Sequence, residues 1–465
     1  MEAEKLSLYL HIPFCVRKCL YCDFLSAPAG PDTIRRYVDA LSREIRLTSQ
    51  ILGVPAVDTV FIGGGTPTVL ETNLLEKLIS ELRDHFKIAP DAEISMECNP
   101  GTVDQDKLKA FRAAGINRLS IGVQSFQNEE LRRLGRIHTA EEAVRCFEMA
   151  RAAGFDNLNI DLMSAIPGQT ISSWEENLQI ALSLKPEHIS AYSLIIEENT
   201  PFEKMMREGL LPDVPDEDTD RAIYHNTGRI LSGNGYHRYE ISNYALCGRE
   251  CRHNIGYWTG KEYLGLGIGA ASMMDGHRFQ VIRELKTYLE LFSGSGENVS
   301  YEVILNEADS KDADSKEAVS KEAVSKEADL NVTDANKTDT SVTRSIWRLP
   351  QYEQVEELTE NEKMSEFAFL GLRLTDGISR QAFEQRFHRS LDSVFEVPIR
   401  EHIQNGLLTE AADRETGILV ENSGIRNNDG IRNNYRIRNN DRIRLTERGL
   451  DLANYVMSDF LLDEE

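Results

Sequence analysis

The sequence predicts an α/β protein: a barrel-like sheet of six strand–helix units, followed by a small α+β, winged-helix-like C-terminal domain. Three observations predict it. Strand-like and helix-like segments alternate six times between Leu6 and Ser232, which implies parallel strands joined by right-handed crossovers. The chemically unusual residues Cys15, Gly63 to Pro67, Glu97, Gln124, Asp161 and Tyr192 to Ile195 fall at or just beyond the ends of successive strands. In a barrel those ends converge on one mouth, where the βα loops build a site. An open doubly wound sheet also fits the alternation, and the placement of these residues decides against it. Finally, composition changes abruptly near Asn306, and ordered patterning returns only with a short terminal region.

Leu6 to Ile12 alternates and reads as the first strand. Cys15-Val-Arg-Lys-Cys19-Leu-Tyr-Cys22 follows it, three cysteines at C-x3-C-x2-C. So tight a loop can wrap three thiolates around one corner of an iron–sulfur cube, leaving the fourth iron without a protein ligand. Thiolates suit zinc as well. A structural zinc site, however, takes four protein ligands, and no nearby cysteine or histidine completes this one. Apolar spacing then gives a helix over Asp32 to Leu52, with Asp32 or Thr33 as candidate cap. Strands at 58–62, 93–97, 118–122, 157–161 and 188–194 alternate with helices at 71–86, 104–114, 129–153 (broken near Gly135), 172–184 and 218–232.

The glycine run Gly63-Gly64-Gly65 lets backbone approach a ligand closely. Taken alone it is also an ordinary tight turn, and it lacks the spacing of a nucleotide phosphate loop. Glu97 ends an apolar strand, where a carboxylate calls for a cationic partner; a salt bridge inside the barrel is the plainer role. Gln124 offers a neutral donor and acceptor, Arg136 a fork for a carboxylate, and Asp161 suits a ribose diol. Later, Cys251-Arg-His253-Asn-Ile-Gly-Tyr257-Trp258 places an imidazole beside two large aromatics. Such a set can ligate haem iron and cover a porphyrin face, or pin a loop over the barrel mouth. Leu264 to Ala270 reads as a small-residue turn closing against the cofactor pocket.

Tyr9-Leu-His-Ile-Pro-Phe-Cys15 through Cys22-Asp-Phe24 resembles the radical S-adenosylmethionine (SAM) enzymes, and most of all the group holding oxygen-independent coproporphyrinogen III oxidase and its haem-chaperone relatives. The resemblance covers about residues 5–300 and the far C-terminus. It implies a partial (βα)6 TIM-like barrel, a 4Fe-4S cluster on Cys15, Cys19 and Cys22, and SAM held by Tyr9, Tyr21, Gly64, Gly65, Thr66, Glu97, Gln124, Arg136, Asp161 and Ile195. His253 to Trp258 matches the His-Asn-x-x-Tyr-Trp signature of the chaperone branch, implying a haem site of His253, Tyr257, Trp258 and Cys251. Ala165 departs from the family, which usually has glycine in Asp-Leu-x-x-Gly-x-Pro.

A net charge of −24 argues against nucleic-acid binding. No apolar run approaches the ~20 residues of a membrane span, and the first strand starts too early to leave room for a signal peptide. Seven cysteines, three of them clustered, suit a reducing interior, so a cytoplasmic protein is expected. The Ser-Lys-Glu-Ala repeat within about 306–343 is expected to be disordered, and Ile425 to Arg444 to lengthen a hairpin in the terminal domain. The expected division is 1–235 barrel, 236–305 extension, 306–345 insertion and 346–465 terminal domain.

Two functions follow from the resemblance. One is a haem chaperone passing haem to an acceptor protein; the other is the oxidase, which uses an electron donor to cleave SAM and decarboxylates coproporphyrinogen in porphyrin biosynthesis. A radical enzyme acting on an unrelated substrate is a third. The oxidases usually carry a further cysteine where Phe24 stands, and an N-terminal extension that is nearly missing here. Both differences, with the His253–Trp258 signature, favour the chaperone.

Overall fold

The computed structural model describes residues 5–293, 346–411 and 441–462. They fall into two compact units, one of residues 1–230, 251–256 and 261–357, the other of 231–250, 257–260 and 358–465. In the first, strands β1 (Leu6–Ile12), β2 (Ala56–Gly64), β3 (Lys87–Cys98), β4 (Arg118–Gln124), β5 (Leu158–Ser164) and β6 (His188–Ser193) lie side by side in sequence order, all parallel. Helices α1 (Pro31–Ile51), α2 (Thr72–His85), α3 (Gln105–Ala114), α4 (Asn128–Leu134), α5 (Ala140–Ala152) and α6 (Ile171–Leu184) connect them, and α7 (Pro201–Arg207) and α8 (Glu217–Gly233) follow. Right-handed crossovers between strands that never reverse their order put every helix on one face. That is the barrel-like winding expected from the sequence, left open rather than closed.

The strand pattern explains the wall. In β1, Leu8, Leu10 and Ile12 are fully buried on one face, while Ser7, Tyr9 and His11 occupy the other. Helix α1 starts differently from its expected cap: Gly30 holds the cap position without a side-chain hydrogen bond. Pro31 takes the first helical position, where its missing N–H costs nothing and its fixed φ favours the turn.

Two short strands, β7 (His237–Arg238) and β8 (Asn243–Ala245), form a hairpin in the second unit. After helix α9 (Arg252–Trp258), the chain adds β9 (Tyr263–Leu266) parallel to β1, on the side away from β2. Antiparallel β10 (Ala271–Met274), β11 (His277–Val281) and β12 (Tyr352–Glu357) extend the sheet further. The expected turn at 264–270 is therefore half strand. Its remainder folds against α1, where Gly267 N–H donates to Glu44 Oε2 (2.8 Å) and Ile268 N–H to the Tyr37 hydroxyl (3.2 Å).

The second unit carries a three-stranded antiparallel sheet in the order β13 (Ile378–Ser379), β15 (Arg442–Leu445), β14 (Leu408–Ala411). Helices at Glu360–Gly371, Arg380–Phe387, Glu396–Gln404 and Ala453–Ser458 pack Met364, Phe383, Phe395, Ile399, Val456 and Phe460 into one core with Ile443. This is the winged-helix-like α+β domain, its first helix opened by a capping box between Thr359 and Glu362. The division differs from the expected one at three places, one being residues 257–260, which group with the second unit. Pairing of β12 with β11 keeps residues up to Glu357 in the first unit, and Leu231 to Glu250 group with the second. The 306–343 insertion and nearly all of the Ile425–Arg444 repeat lie outside the described residues. Among the described residues, no helix is long and apolar enough to cross a membrane.

Ala165, just after β5, has φ of 55°. That left-handed conformation costs a residue with a Cβ about 1–2 kcal/mol and glycine almost nothing, which accounts for the glycine usual there. Glycine loses more chain entropy on folding, so Ala165→Gly should stabilise the protein by a net of about 0.5–1 kcal/mol in urea denaturation. A loss of stability would mean that the methyl group makes packing contacts worth more than the strain.

Candidate cofactor site at the strand ends

The cysteine loop leaves β1 and is tied down by backbone on both sides. Gly65 N–H donates to Ile12 O (2.9 Å), Thr66 N–H to Phe14 O (2.8 Å) and Cys15 N–H to Ala27 O (3.2 Å). Further along, Leu20 N–H reaches Leu134 O (3.1 Å), and Phe202 N–H reaches Leu20 O (3.0 Å). Arg17 donates to Gly135 O at 2.7 Å. Gly135 (φ 73°) permits the approach, since a Cβ there would lie 2.7 Å from Leu20 Cγ. Cys15, Cys19 and Cys22 are free and half-buried. Thr66 Oγ1 donates to Cys15 Sγ and Arg136 Nη1 to Cys19 Sγ, each at 3.5 Å. Burial pushes the Cys22 thiol up.

Among the described residues, no three His, Cys, Asp or Glu side chains converge closely enough to hold one metal ion. Three thiols on one short loop suit three irons of a cube, whereas a structural zinc takes four protein ligands, so the donor set fits a cluster better than mononuclear zinc.

The glycine run forms a cradle next to this loop. A Cβ on Gly65 would lie 2.7 Å from Phe14 O and 3.0 Å from Cys15 Sγ, and one on Gly64 (φ 114°) 2.5 Å from the His11 ring. His11 Nδ1 and the Tyr9 hydroxyl are 3.0 Å apart. Glu97 stands across the cradle, its Oε2 accepting from Gly64 N–H at 3.1 Å. Burial first, then the neighbouring Asp161 carboxylate, push Glu97 up to about 8. Its missing cation is what the ammonium of an amino acid would supply. Gln124 has φ of 69° at a register shift in β4, and its Oε1 accepts from the Tyr192 hydroxyl at 2.8 Å. Asp161 accepts from Ser120 Oγ (3.0 Å) and Asn159 Nδ2 (2.7 Å); burial raises its pKa against these bonds. Tyr21 packs edge-on to Phe202, while Ile195 is 70% exposed at the rim.

The structure thus brings Tyr21, Gly64, Gly65, Thr66, Glu97, Gln124 and Arg136 to the strand ends beside the cysteines. Tyr9 and Asp161 lie mid-strand, three residues before the ends of β1 and β5; β5 runs on to Ser164 rather than stopping at Asp161. Arg136 is already engaged: Nη2 donates to Asn99 Oδ1 (2.7 Å) and Gly122 O (2.5 Å), besides the Nη1 contact to Cys19. Sequence reasoning missed Asn99, just past the end of β3, and Ser120 and Asn159, whose only signal was polarity on a strand otherwise apolar.

Two of the four haem candidates, His253 and Cys251, are not at this mouth. His253 is 1% exposed, its Nδ1 2.9 Å from Thr59 Oγ1 and its ring stacked on Phe61. Thr59 pairs with Glu93, four residues before Glu97 on β3 and so about 13 Å towards the base of the sheet. Glu93 accepts from the N–H groups of Arg252 (3.0 Å) and His253 (3.2 Å) and from Cys251 Sγ (3.4 Å), capping the start of α9. Burial, with Lys261 and Arg118 nearby, pushes His253 down to about 3, and burial pushes Cys251 up to about 12. In the second unit, Tyr257 and Trp258 are half-buried, and the Arg373 guanidinium sits 4.3 Å above the Trp258 ring. The expectation of a loop over the mouth is corrected for His253 and Cys251: Glu93 draws this stretch to the opposite end.

Parallel strands with three cysteines and a glycine cradle at one mouth define a radical SAM domain. The radical SAM superfamily profile matches residues 9–181, and the HemN C-terminal domain matches residues 358–414. The chain is 34% identical to the heme chaperone HemW of Bacillus subtilis over 403 residues, 86% of this chain and 92% of that one. It is 31% identical to the heme chaperone HemW of Lactococcus lactis over 458 residues, 98% of each. The solved structure of coproporphyrinogen III oxidase (HemN) from Escherichia coli, a radical SAM enzyme, superposes with a TM-score of 0.69 at 22% identity, over 98% of this chain and 90% of that one. That likeness shows a shared fold. The chain belongs to the HemW family of the radical SAM superfamily, and membership of the superfamily implies a 4Fe-4S cluster and SAM.

Glu97 yields a pH prediction. With its pKa raised from 4.5 to about 8, the folded protein holds a proton that the unfolded chain releases. The ligand-free protein should therefore lose stability as pH rises from about 5 to 8. Urea denaturation across that range should show a flatter profile for Glu97→Gln; parallel profiles would mean that Glu97 ionises normally in the fold.

Proposed function

We propose that this protein is a haem chaperone: it binds haem, carries one 4Fe-4S cluster and SAM, and delivers haem to an acceptor protein in the cytoplasm. The observation that carries the reading is identity of 31–34% to proteins named heme chaperone HemW along at least 86% of the chain. Phe24, 63% exposed, supports it, standing where the oxidases usually carry a further cysteine.

Cys15, Cys19 and Cys22 are proposed to hold the cluster. The cradle of Gly64, Gly65 and Thr66 would meet the amino-acid end of SAM, with Glu97 taking its ammonium; Gln124 and Asp161 would meet the remainder, and Tyr9, Tyr21 and Ile195 would line it. Held by these three cysteines, a reduced cluster would supply one-electron reducing power to SAM. The protein's own share is orientation and desolvation. Seven free cysteines suit a reducing compartment.

For haem, Tyr257 and Trp258 offer partly open aromatic surface. Ligation by His253 requires its ring to leave Thr59 and Phe61 and the start of α9 to leave Glu93.

Anaerobically reconstituted protein, incubated separately with haem and with coproporphyrinogen, should give a Soret-absorbing complex with the first and no decarboxylation of the second. Decarboxylation without a haem complex would make the protein an oxidase. Alanine at Cys15, Cys19 or Cys22 should remove most cluster iron, whereas alanine at Cys98, Cys146, Cys247 or Cys251 should not. His253→Ala should cost about 1–3 kcal/mol of stability, the range for breaking a buried hydrogen bond, and leave the Soret band in place. A lost Soret band with unchanged stability would instead make His253 the axial ligand.

A further inference from the structure

We propose that Arg136 is a positioning residue of the cluster, fixing Cys19 and raising the reduction potential through an N–H to its sulfur. The inference rests on the reading that Cys19 ligates iron, and goes beyond it by giving Arg136 a role at the cluster in addition to any contact with SAM.

The geometry has three parts. Arg136 Nη1 lies 3.5 Å from Cys19 Sγ. Its Nη2 is anchored to Asn99 Oδ1 at the end of β3 and to Gly122 O in β4. Its own backbone N–H is bound by Leu131 O at 2.9 Å, which fixes the stem at the end of α4. A guanidinium held at both ends is an aimed donor, and its Nε, buried without an acceptor, is left for another ligand.

The other cations near the loop are placed differently. Arg17 and Lys18 are exposed and donate to the backbone carbonyls of Gly135 and Phe24, so solvent screens their charges. His138, two residues on, is pushed down to about 3 by burial and by Arg136 itself, and stays neutral. Arg136 is therefore a half-buried positive charge facing the sulfur of Cys19.

Reduction adds one negative charge to the cluster and its thiolates. A fixed positive charge and an N–H···S bond stabilise the reduced form more than the oxidised form, which moves the potential upward. The same contact holds the Cys19 thiolate in one rotamer.

The test is an EPR-monitored redox titration of anaerobically reconstituted full-length protein, with iron content measured on each sample. Arg136→Met should retain cluster iron and show a midpoint potential more negative than the parent. Arg136→Lys keeps the charge on a flexible stem without the fork, and should also fall below the parent. A fully loaded Arg136→Met protein with an unchanged midpoint overturns the proposal. Should Arg136→Met fail to load, the lysine variant decides: a lowered midpoint supports the proposal, and a parental one overturns it. Cys19→Ala separates the two levels of inference. Parental iron content in that variant removes Cys19 from the ligand set, and the present proposal falls with it by a result distinct from the midpoint measurements.

Discussion

The site depends on one seam, where the cysteine loop is bound to the end of α4. Leu20 N–H on Leu134 O, Arg17 on Gly135 O and Arg136 on Cys19 Sγ cross it within a few residues. A loop of half-exposed residues has little apolar surface with which to offset the entropy of ordering, so polar ties must set its shape. Gly135 makes the seam close enough, because any side chain there would collide with Leu20. The seam also joins the loop after β1 to the loop after β4, which in a curled sheet stand on opposite sides of the mouth. Three thiols, the glycine cradle and the Gln124 turn are therefore held in one frame.

Two glutamates on β3 show how the same residue type serves opposite ends of a strand. Glu93 collects two backbone N–H groups and a thiol and caps a helix begun about 160 residues later. Glu97 receives one N–H and faces another carboxylate, so it holds its proton far above the usual range. A saturated carboxylate is a structural fastener; a starved one is a place for a ligand. Four residues and about 13 Å separate them.

Much of this was legible in the sequence. Every one of the six parallel strands follows from short apolar runs bounded by turn residues, and the site follows from what ends them. Glu97 was conspicuous in the sequence because a carboxylate at the end of a buried strand is costly. The engagement of Arg136 was hidden, since its acceptors lie in three other segments. The role of Glu93 was hidden for the same reason: it reads as an odd charge in a strand until Arg252 and His253 are brought to it. His253 was misplaced because spacing describes what a side chain can ligate, and only long-range pairing decides where it goes. The strand at Tyr263–Leu266 was masked by its glycines, which read as a turn although Gly265 is there to let the backbone of Ala270 and Ala271 pass closely.

The capping of α9 by Glu93 has a consequence for how the chain is made. During synthesis, β3 leaves the ribosome well before Cys251, Arg252 and His253, so its buried carboxylate must wait for partners about 160 residues downstream. Until they arrive, the lower half of the sheet exposes Thr59, Phe61 and Glu93, and the polar groups there stay hydrated. Contacts of such sequence separation are formed late because loop closure must precede them. The nascent sheet therefore completes its cofactor end first and its floor last, and a truncated chain ending before Cys251 would carry the cysteine loop on an unfinished scaffold.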